Sequence, residues 1–374
     1  MSLFSTLLLR GVHGGCFYVK KRRSSAAGVQ YGETAMATYA IWNNKGGTGK
    51  TTLAFQVACC YAQLHPDARV LVVDVCPQAN LSEVMLGGLS NNGSARLLER
   101  HGLTPRCSIG GYFDARLSTP FSPSKIDAAS FITKPNQYNQ QVPSNIDLVC
   151  GDPLLEFQAI AMNTLANADI PGVNAWLGVI DWLRDFLDVV QQDYNMVFID
   201  TNPSFSMYTQ ISLSAANRVI LPVMADDSSR RAIQNAFSLI YGVKLPSEVY
   251  AKYTFATKLK GAERGLPQIH LILKNRLTQY MGAASAYAAV LSGIDNDLDA
   301  LIKSYPDYFT FTERQHGIVD IRDFGTTGIA AFASGSPFFN TKTGTHVISE
   351  RRVQVTRKSK EDMVNATKGV VEKL

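Results

Sequence analysis

Short continuous apolar runs alternate with longer stretches of helical periodicity along this chain. Residues 38–52, TYAIWNNKGGTGKTT, begin as a buried strand, pass through a glycine loop and end in the first turn of a helix. From Lys50 to Leu64 the positions Leu53, Val57, Cys60, Tyr61 and Leu64 recur at helical spacing, which predicts a helix with one face on a sheet. His65, Pro66 and Asp67 end it, and the RVLVVD run at 69–74 is apolar throughout, as suits a strand covered on both faces. Further strands are expected at 146–150, 195–200, 217–224 and 269–273, with helices at about 154–162, 173–193 and 228–241. In the long helix at 173–193 the core positions are Trp176, Ile180, Trp182, Leu183, Leu187 and Val190. This alternation predicts an α/β fold: a doubly wound, mostly parallel sheet with helices on both faces. Residues 88–145 are rich in Gly, Asn, Ser and Pro and carry one short helical pattern near 95–101, so they read as an insertion or elaborated surface.

Composition narrows the class. A chain of 374 residues with 46% hydrophobic residues and a mean hydropathy of −0.02 suits a soluble globular protein with a substantial core. No apolar stretch approaches the roughly 20 residues a membrane span needs, so no membrane partner is expected. The formal charge of +5 is concentrated at the start, where residues 1–35 hold Arg10, Lys20, Lys21, Arg22 and Arg23 against Glu33. That segment loosely suits an organellar transit peptide; a disordered extension, or a start codon placed too early with Met36 as the working start, is preferred. Residues 36–374 are then a single domain. The six cysteines, at 16, 59, 60, 76, 107 and 150, show no metal-binding spacing and read as reduced thiols of a cytoplasmic protein.

The chemistry is concentrated in the loop. Gly46, Gly47 and Gly49 let backbone amides curl around an anion, and the following helix points its positive end at the same place. Lys50 would place an ammonium on the β and γ phosphates of a nucleotide, and the Thr51 hydroxyl would ligate Mg²⁺. The usual spacing of such loops asks for glycine at 44, where this chain has Asn44, and a second lysine, Lys45, lies five residues before Lys50.

KGGTGKT resembles the deviant Walker A motif of the ParA/MinD superfamily, and most closely that of ParA-type partition ATPases. The resemblance implies nucleotide contacts from Lys45, Gly46, Gly47, Thr48, Gly49, Lys50, Thr51 and Thr52, with Lys45 reaching across an ATP-dependent homodimer to the partner's nucleotide. Residues 74–82, DVCPQANLS, resemble the family's DxDPQxNxS segment at Asp74, Pro77, Gln78, Asn80 and Ser82. The resemblance gives catalytic roles to Lys45, Lys50 and Asp74. Cys76 stands where the family keeps the carboxylate thought to orient or deprotonate the attacking water, so slow ATP hydrolysis is expected. The apolar run at 195–200 ending in Asp200, followed by TNPS, is similar to the family's Mg²⁺-holding strand and DxxPS turn. Asn275 matches an asparagine that reads the adenine edge, and residues 319–339 resemble the closing segment of the family's domain.

The family's further implications concern partners. Residues 244–276 are locally basic, and Lys258, Lys260, Arg264 and Arg276 there, with Arg351 and Arg352 later, are candidates for gripping DNA phosphates without reading bases, as partition ATPases do on the nucleoid. A solvated basic face is the open alternative. A ParB-like stimulating partner is implied as well. Other possibilities are a nucleotide-gated clamp with little turnover and a MinD-like positioning ATPase; the latter fits less well, because residues 358–374 offer only Met363, Val364, Val370, Val371 and Leu374 as an apolar face.

Overall fold

A computed structural model describes residues 36–122, 125, 127–224, 226–277 and 284–374, without the side chains of residues 227, 276, 277 and 284–288. The expectations for residues 1–35 lie outside these. Seven strands form one sheet: β1 (Ala37–Ile41), β2 (Val70–Val75), β3 (Ile146–Val149), β4 (Met196–Thr201), β5 (Arg218–Met224), β6 (Gln268–Leu277) and β7 (Ile318–Arg322). Their order is β3-β2-β4-β1-β5-β6-β7, and each recorded pairing is parallel.

Alternation along the strands builds two cores. Ala40 and Trp42, Leu71 and Val73, and Val197 and Ile199 face one side. Tyr39 and Ile41, Val70 and Val72, and Met196 and Phe198 face the other. Because both faces are covered, no polar residue interrupts β2 until Asp74, which explains the unbroken apolar run in its sequence. The chain leaves β1 toward β2 and β3, returns through β4 and continues outward through β5, which puts the reversal of strand order beside β1. Doubly wound sheets bind their ligands at the strand carboxyl ends of such a point.

Two sequence expectations change. Residues 88–145 are not only surface elaboration: they fold into helices Gly93–His101 and Ile109–Leu117 with intervening turns, and Ile109, Tyr112, Phe113 and Phe131 enter a core. The Arg116 guanidinium is buried there and pairs with Asp185 at 2.5 Å. Periodicity was faint because the helix opens on two glycines held by close packing: a Cβ on Gly110 would lie 2.6 Å from Asp152, and one on Gly111 would lie 1.9 Å from the Arg106 carbonyl. The single long helix expected at 173–193 is instead Ala175–Ile180 and Trp182–Val190. Asp181 stands between them, its carboxylate drawn to Arg264 at 2.6 Å.

Beyond β7, helix Gly325–Ala333 precedes an antiparallel hairpin, β8 (Gly344–Ile348) and β9 (Arg351–Val355), and then helix Arg357–Val371. That last helix buries Met363, Thr367, Val370 and Val371, so its apolar face is occupied by packing. Among the described residues, no helix is long and apolar enough to cross a membrane.

Candidate functional site

The loop between β1 and helix Lys50–Leu64 occupies the carboxyl end of the central strand. Gly47 and Gly49 adopt φ of +74° and +86°, the left-handed region that glycine enters without Cβ strain. At Gly49 the space is closed as well, since a Cβ would sit 2.3 Å from Asn275 Nδ2. Asn43, buried at the strand exit, fixes the loop's start: its amide donates to the Pro222 carbonyl (2.7 Å) and its Oδ1 accepts from the Lys45 backbone (2.9 Å). Sequence reasoning missed Asn43; an asparagine at the end of an apolar run, just before a glycine loop, was the available signal.

Lys50 curls back over the loop and donates to the carbonyls of Asn43 (3.2 Å) and Lys45 (3.1 Å). Burial lowers its pKa, while Asp200 and Cys76 nearby pull the other way. The ammonium therefore sits inside the curl, facing the position an anion would take. Thr48 is fully buried, and among the described residues its hydroxyl and the Asn44 side-chain oxygen have no hydrogen-bond partner. Thr51 and Thr52 lie half-buried on the first helical turn.

Two aspartates meet beneath the loop, Asp74 on β2 beside Asp200 on β4 in the strand register. Asp74 is committed to structure. One oxygen accepts from the Cys76 backbone (3.2 Å), and the other accepts from the Ser82 backbone (2.9 Å) and hydroxyl (2.7 Å), which ties the 76–82 segment to the strand end. Burial pushes its pKa up against those hydrogen bonds. Asp200 is 1% exposed, yet neither carboxylate oxygen has a hydrogen-bond partner among the described residues. Burial raises its pKa, the Asp74 charge adds to this, and the Thr51 hydroxyl and Lys50 ammonium oppose it; Thr51 lies near enough to favour the ionised form without reaching hydrogen-bond geometry. A buried carboxylate with both oxygens unspent, beside a threonine hydroxyl, is a hard oxygen donor set of the kind that holds Mg²⁺.

Cys76 completes this floor. Its Sγ lies 4.0 Å from Asn202 Nδ2. Burial pushes the thiol up to about 12, with Asp74 and Asp200 acting in the same direction and the backbone amides of Gln78 and Ala79 opposing. At neutral pH the group is a neutral thiol, neither a base nor a ligand for a hard cation. Asn202 is a second residue that the sequence did not single out.

A cavity of about 720 Å³ opens beside the loop, lined among others by Gly49, Thr52, Asn275, Phe324, Ile329 and Phe332. Asn275 reaches it from β6 and donates to the Thr48 carbonyl at 3.0 Å, so it braces the glycine loop. The segment at 319–339 supplies the far wall through Phe324, Ile329 and Phe332.

Residues 36–248 match the AAA_31 model, described as an AAA domain, over more than half of the chain. The chain belongs to this family, as a ParA-type P-loop protein. A ParA family protein of Chlamydia pneumoniae is 27% identical over 208 residues, 56% of this chain and 66% of that protein. A virulence plasmid ParA family protein of Chlamydia muridarum is 27% identical over 218 residues, 58% of this chain and 66% of that protein. The chain thus spans about two thirds of these curated relatives. Among solved structures, an ATP complex of McdA from Cyanothece has a TM-score of 0.58 at 14% identity, covering 91% of this chain and 96% of that one. A plasmid partition protein of Borrelia burgdorferi bound to AMPPNP has a TM-score of 0.50 at 16% identity, covering 91% and 100%. At these identities the likeness is one of fold, a parallel sheet flanked by helices.

The candidate basic residues of this ParA-type chain differ in their surroundings. Lys258 is half-buried over the Trp176 ring, 5.4 Å from its centroid, and Lys260 lies 5.9 Å from that of Tyr308. Arg264 is paired with Asp181. Arg351 and Arg352 are exposed on β9. The Arg276 side chain lies outside the described residues.

Proposed function

We propose that this ParA-type protein binds ATP with Mg²⁺ at the β1 loop, pairs with a second copy when ATP is bound, and holds DNA non-specifically in a partition role until slow hydrolysis releases it. The observation that carries the reading is the convergence of a buried loop ammonium, Lys50, with a buried and unspent carboxylate, Asp200, at the central strand's end. Mg²⁺ would there neutralise developing phosphate charge. Thr51 and Asp200 would hold the ion; the loop amides and Lys50 would hold the phosphates; the cavity lined by Asn275 and Phe324 would take the nucleoside. Slow turnover follows from the floor: Asp74 spends its oxygens on Ser82 and Cys76, the Cys76 thiol stays protonated, and Asp200 is left to the ion, so neither Asp74 nor Cys76 offers a base to the attacking water.

The DNA contact is proposed for the exposed basic residues, Lys260, Arg351 and Arg352 foremost, because Arg264 is already neutralised by Asp181. Its affinity would fall with salt at a slope of about −0.9 per phosphate engaged. The test compares oligomeric state with ATP and Mg²⁺, with ADP, and without nucleotide, for wild type and Lys45→Ala. ATP-dependent pairing lost in the variant is the expected result. No nucleotide uptake in any magnesium condition would overturn the reading.

A further inference from the structure

Lys45 is held within its own subunit. Its ammonium donates to Asp226 Oδ1 at 2.8 Å, to Asp226 Oδ2 at 2.5 Å and to the Ser228 hydroxyl at 2.5 Å. An ammonium has three hydrogens and no acceptor site. Asp226 and Ser228 together hold the ammonium, with its strongest attraction directed to the carboxylate of its own subunit.

The acceptor is itself built in. Asp226 lies just past β5, at the N-cap of helix Asp227–Tyr241, and accepts from the Ser229 backbone, the Ser229 hydroxyl and the Ser228 hydroxyl, each at 2.9 Å. Burial alone would raise its pKa, but the bonds from Lys45, Ser228 and Ser229 and the Lys45 charge outweigh it and hold it down at about 2. The carboxylate is thus a permanent anion at working pH. Losing Lys45 would not strand it, because the helix N-terminus and two serines remain as partners. Both side chains also keep contact with solvent, 23% exposed for Lys45 and 42% for Asp226, so the contact can open without a large rearrangement.

We propose that Asp226, with Ser228, is a positioning residue that latches Lys45 in cis and sets how readily the lysine engages an anionic group on a second copy of the chain. This rests on the pairing reading given above. The Asp226 carboxylate competes with any anion in trans for the same ammonium, so the fraction of unlatched molecules scales the apparent affinity of ATP-dependent pairing.

The test uses the full chain as wild type, Asp226→Asn, Ser228→Ala, Lys45→Ala and Asp226→Asn with Lys45→Ala. Asparagine caps a helix as well as aspartate does, so the fold should persist, as melting would verify. Two quantities are read: acylation of Lys45 by an amine-reactive reagent without nucleotide, by mass spectrometry, and the dimer dissociation constant with ATP and Mg²⁺, by sedimentation. Asp226→Asn should raise Lys45 acylation and tighten pairing, each by about five- to thirtyfold for loss of a charge-assisted contact at a partly exposed site. Ser228→Ala should do the same by about two- to threefold, and the gain should vanish in the double variant. Unchanged acylation overturns the latch, and faster acylation with unchanged or weaker pairing overturns its control of pairing. Faster acylation with no ATP-dependent pairing in any protein, wild type included, refutes the pairing reading and leaves the latch standing.

Discussion

Replacing Cys76 by aspartate tests the claim that position 76 lacks a base for the attacking water. Burial pushes the thiol up to about 12, so it is neutral at pH 7. A carboxylate at the same position would stand beside Asp74 and Asp200, and a bound magnesium nucleotide would favour its ionised form. A positioned general base typically contributes about 10² to 10⁴ in rate, and an imported one with unrefined geometry belongs near the lower figure, so a gain of about 10² is expected. There is a cost. A third buried carboxylate in this pocket should destabilise the nucleotide-free protein by about 1–3 kcal/mol, and magnesium with nucleotide should recover most of that. The assay is steady-state phosphate release at saturating ATP and Mg²⁺ for wild type, Cys76→Asp and Cys76→Ser, with melting curves with and without ligand. Serine should behave as wild type. If Cys76→Asp folds and binds magnesium nucleotide but releases phosphate at the wild-type rate, the account of position 76 is wrong.

Other consequences follow from the same contacts. Asp200→Asn should abolish the magnesium-dependent part of nucleotide affinity, yet raise the melting stability of the nucleotide-free protein by about 1–2 kcal/mol, because a buried and unpaired carboxylate is neutralised; lower stability in the variant would show that those oxygens have partners. Gly49→Ala combines a left-handed φ of +86° with a Cβ 2.3 Å from Asn275 Nδ2. It should cost about 2–4 kcal/mol and weaken nucleotide binding more than tenfold, read by melting and titration calorimetry. His270 donates from Nε2 to the Lys373 carbonyl (2.7 Å), so its Nδ1 accepts from the Thr310 hydroxyl (2.8 Å) and the ring is neutral. Burial, with Arg218 adding and the Lys373 carbonyl opposing, lowers its pKa from 6.5 to about 4. The unfolded chain takes up this proton first, so the contribution is complete above pH 6.5 and falls as pH drops toward 4, by about 1–2 kcal/mol after allowance for partial exposure. Melting between pH 7.5 and 4.5 should show that loss in wild type and a flatter profile in His270→Gln.

Where covalent neighbours decide the outcome, the sequence was a sufficient guide. Helix Lys50–Leu64 was bounded correctly because its apolar spacing and the glycine before it are local properties. The strand at β2 was legible because burial on both faces leaves an unbroken apolar run. Helix Ile109–Leu117 was not, since Gly110 answers to Asp152, a group brought near only by folding. The break at Asp181 was hidden for the same reason, its partner Arg264 lying 83 residues away.

By itself, then, the sequence determined the alternation of strands and helices, the glycine loop with its two lysines, and the identity of each group that can carry charge there, because these depend on residue type and spacing over a few positions. Which of those groups are spent and which are free was decided only by tertiary structure. Asp74 and Asp200 both stand at strand ends, but Ser82 and Cys76 come back to occupy both oxygens of the first, while no hydrogen-bond partner among the described residues reaches the second. Lys45 and Lys50 share one loop, yet Asp226, 181 residues along the chain from Lys45, holds the first together with Ser228, while the second donates to carbonyls of its own loop. Charge is written in the side chain, but its availability depends on what the fold places within three ångströms of it.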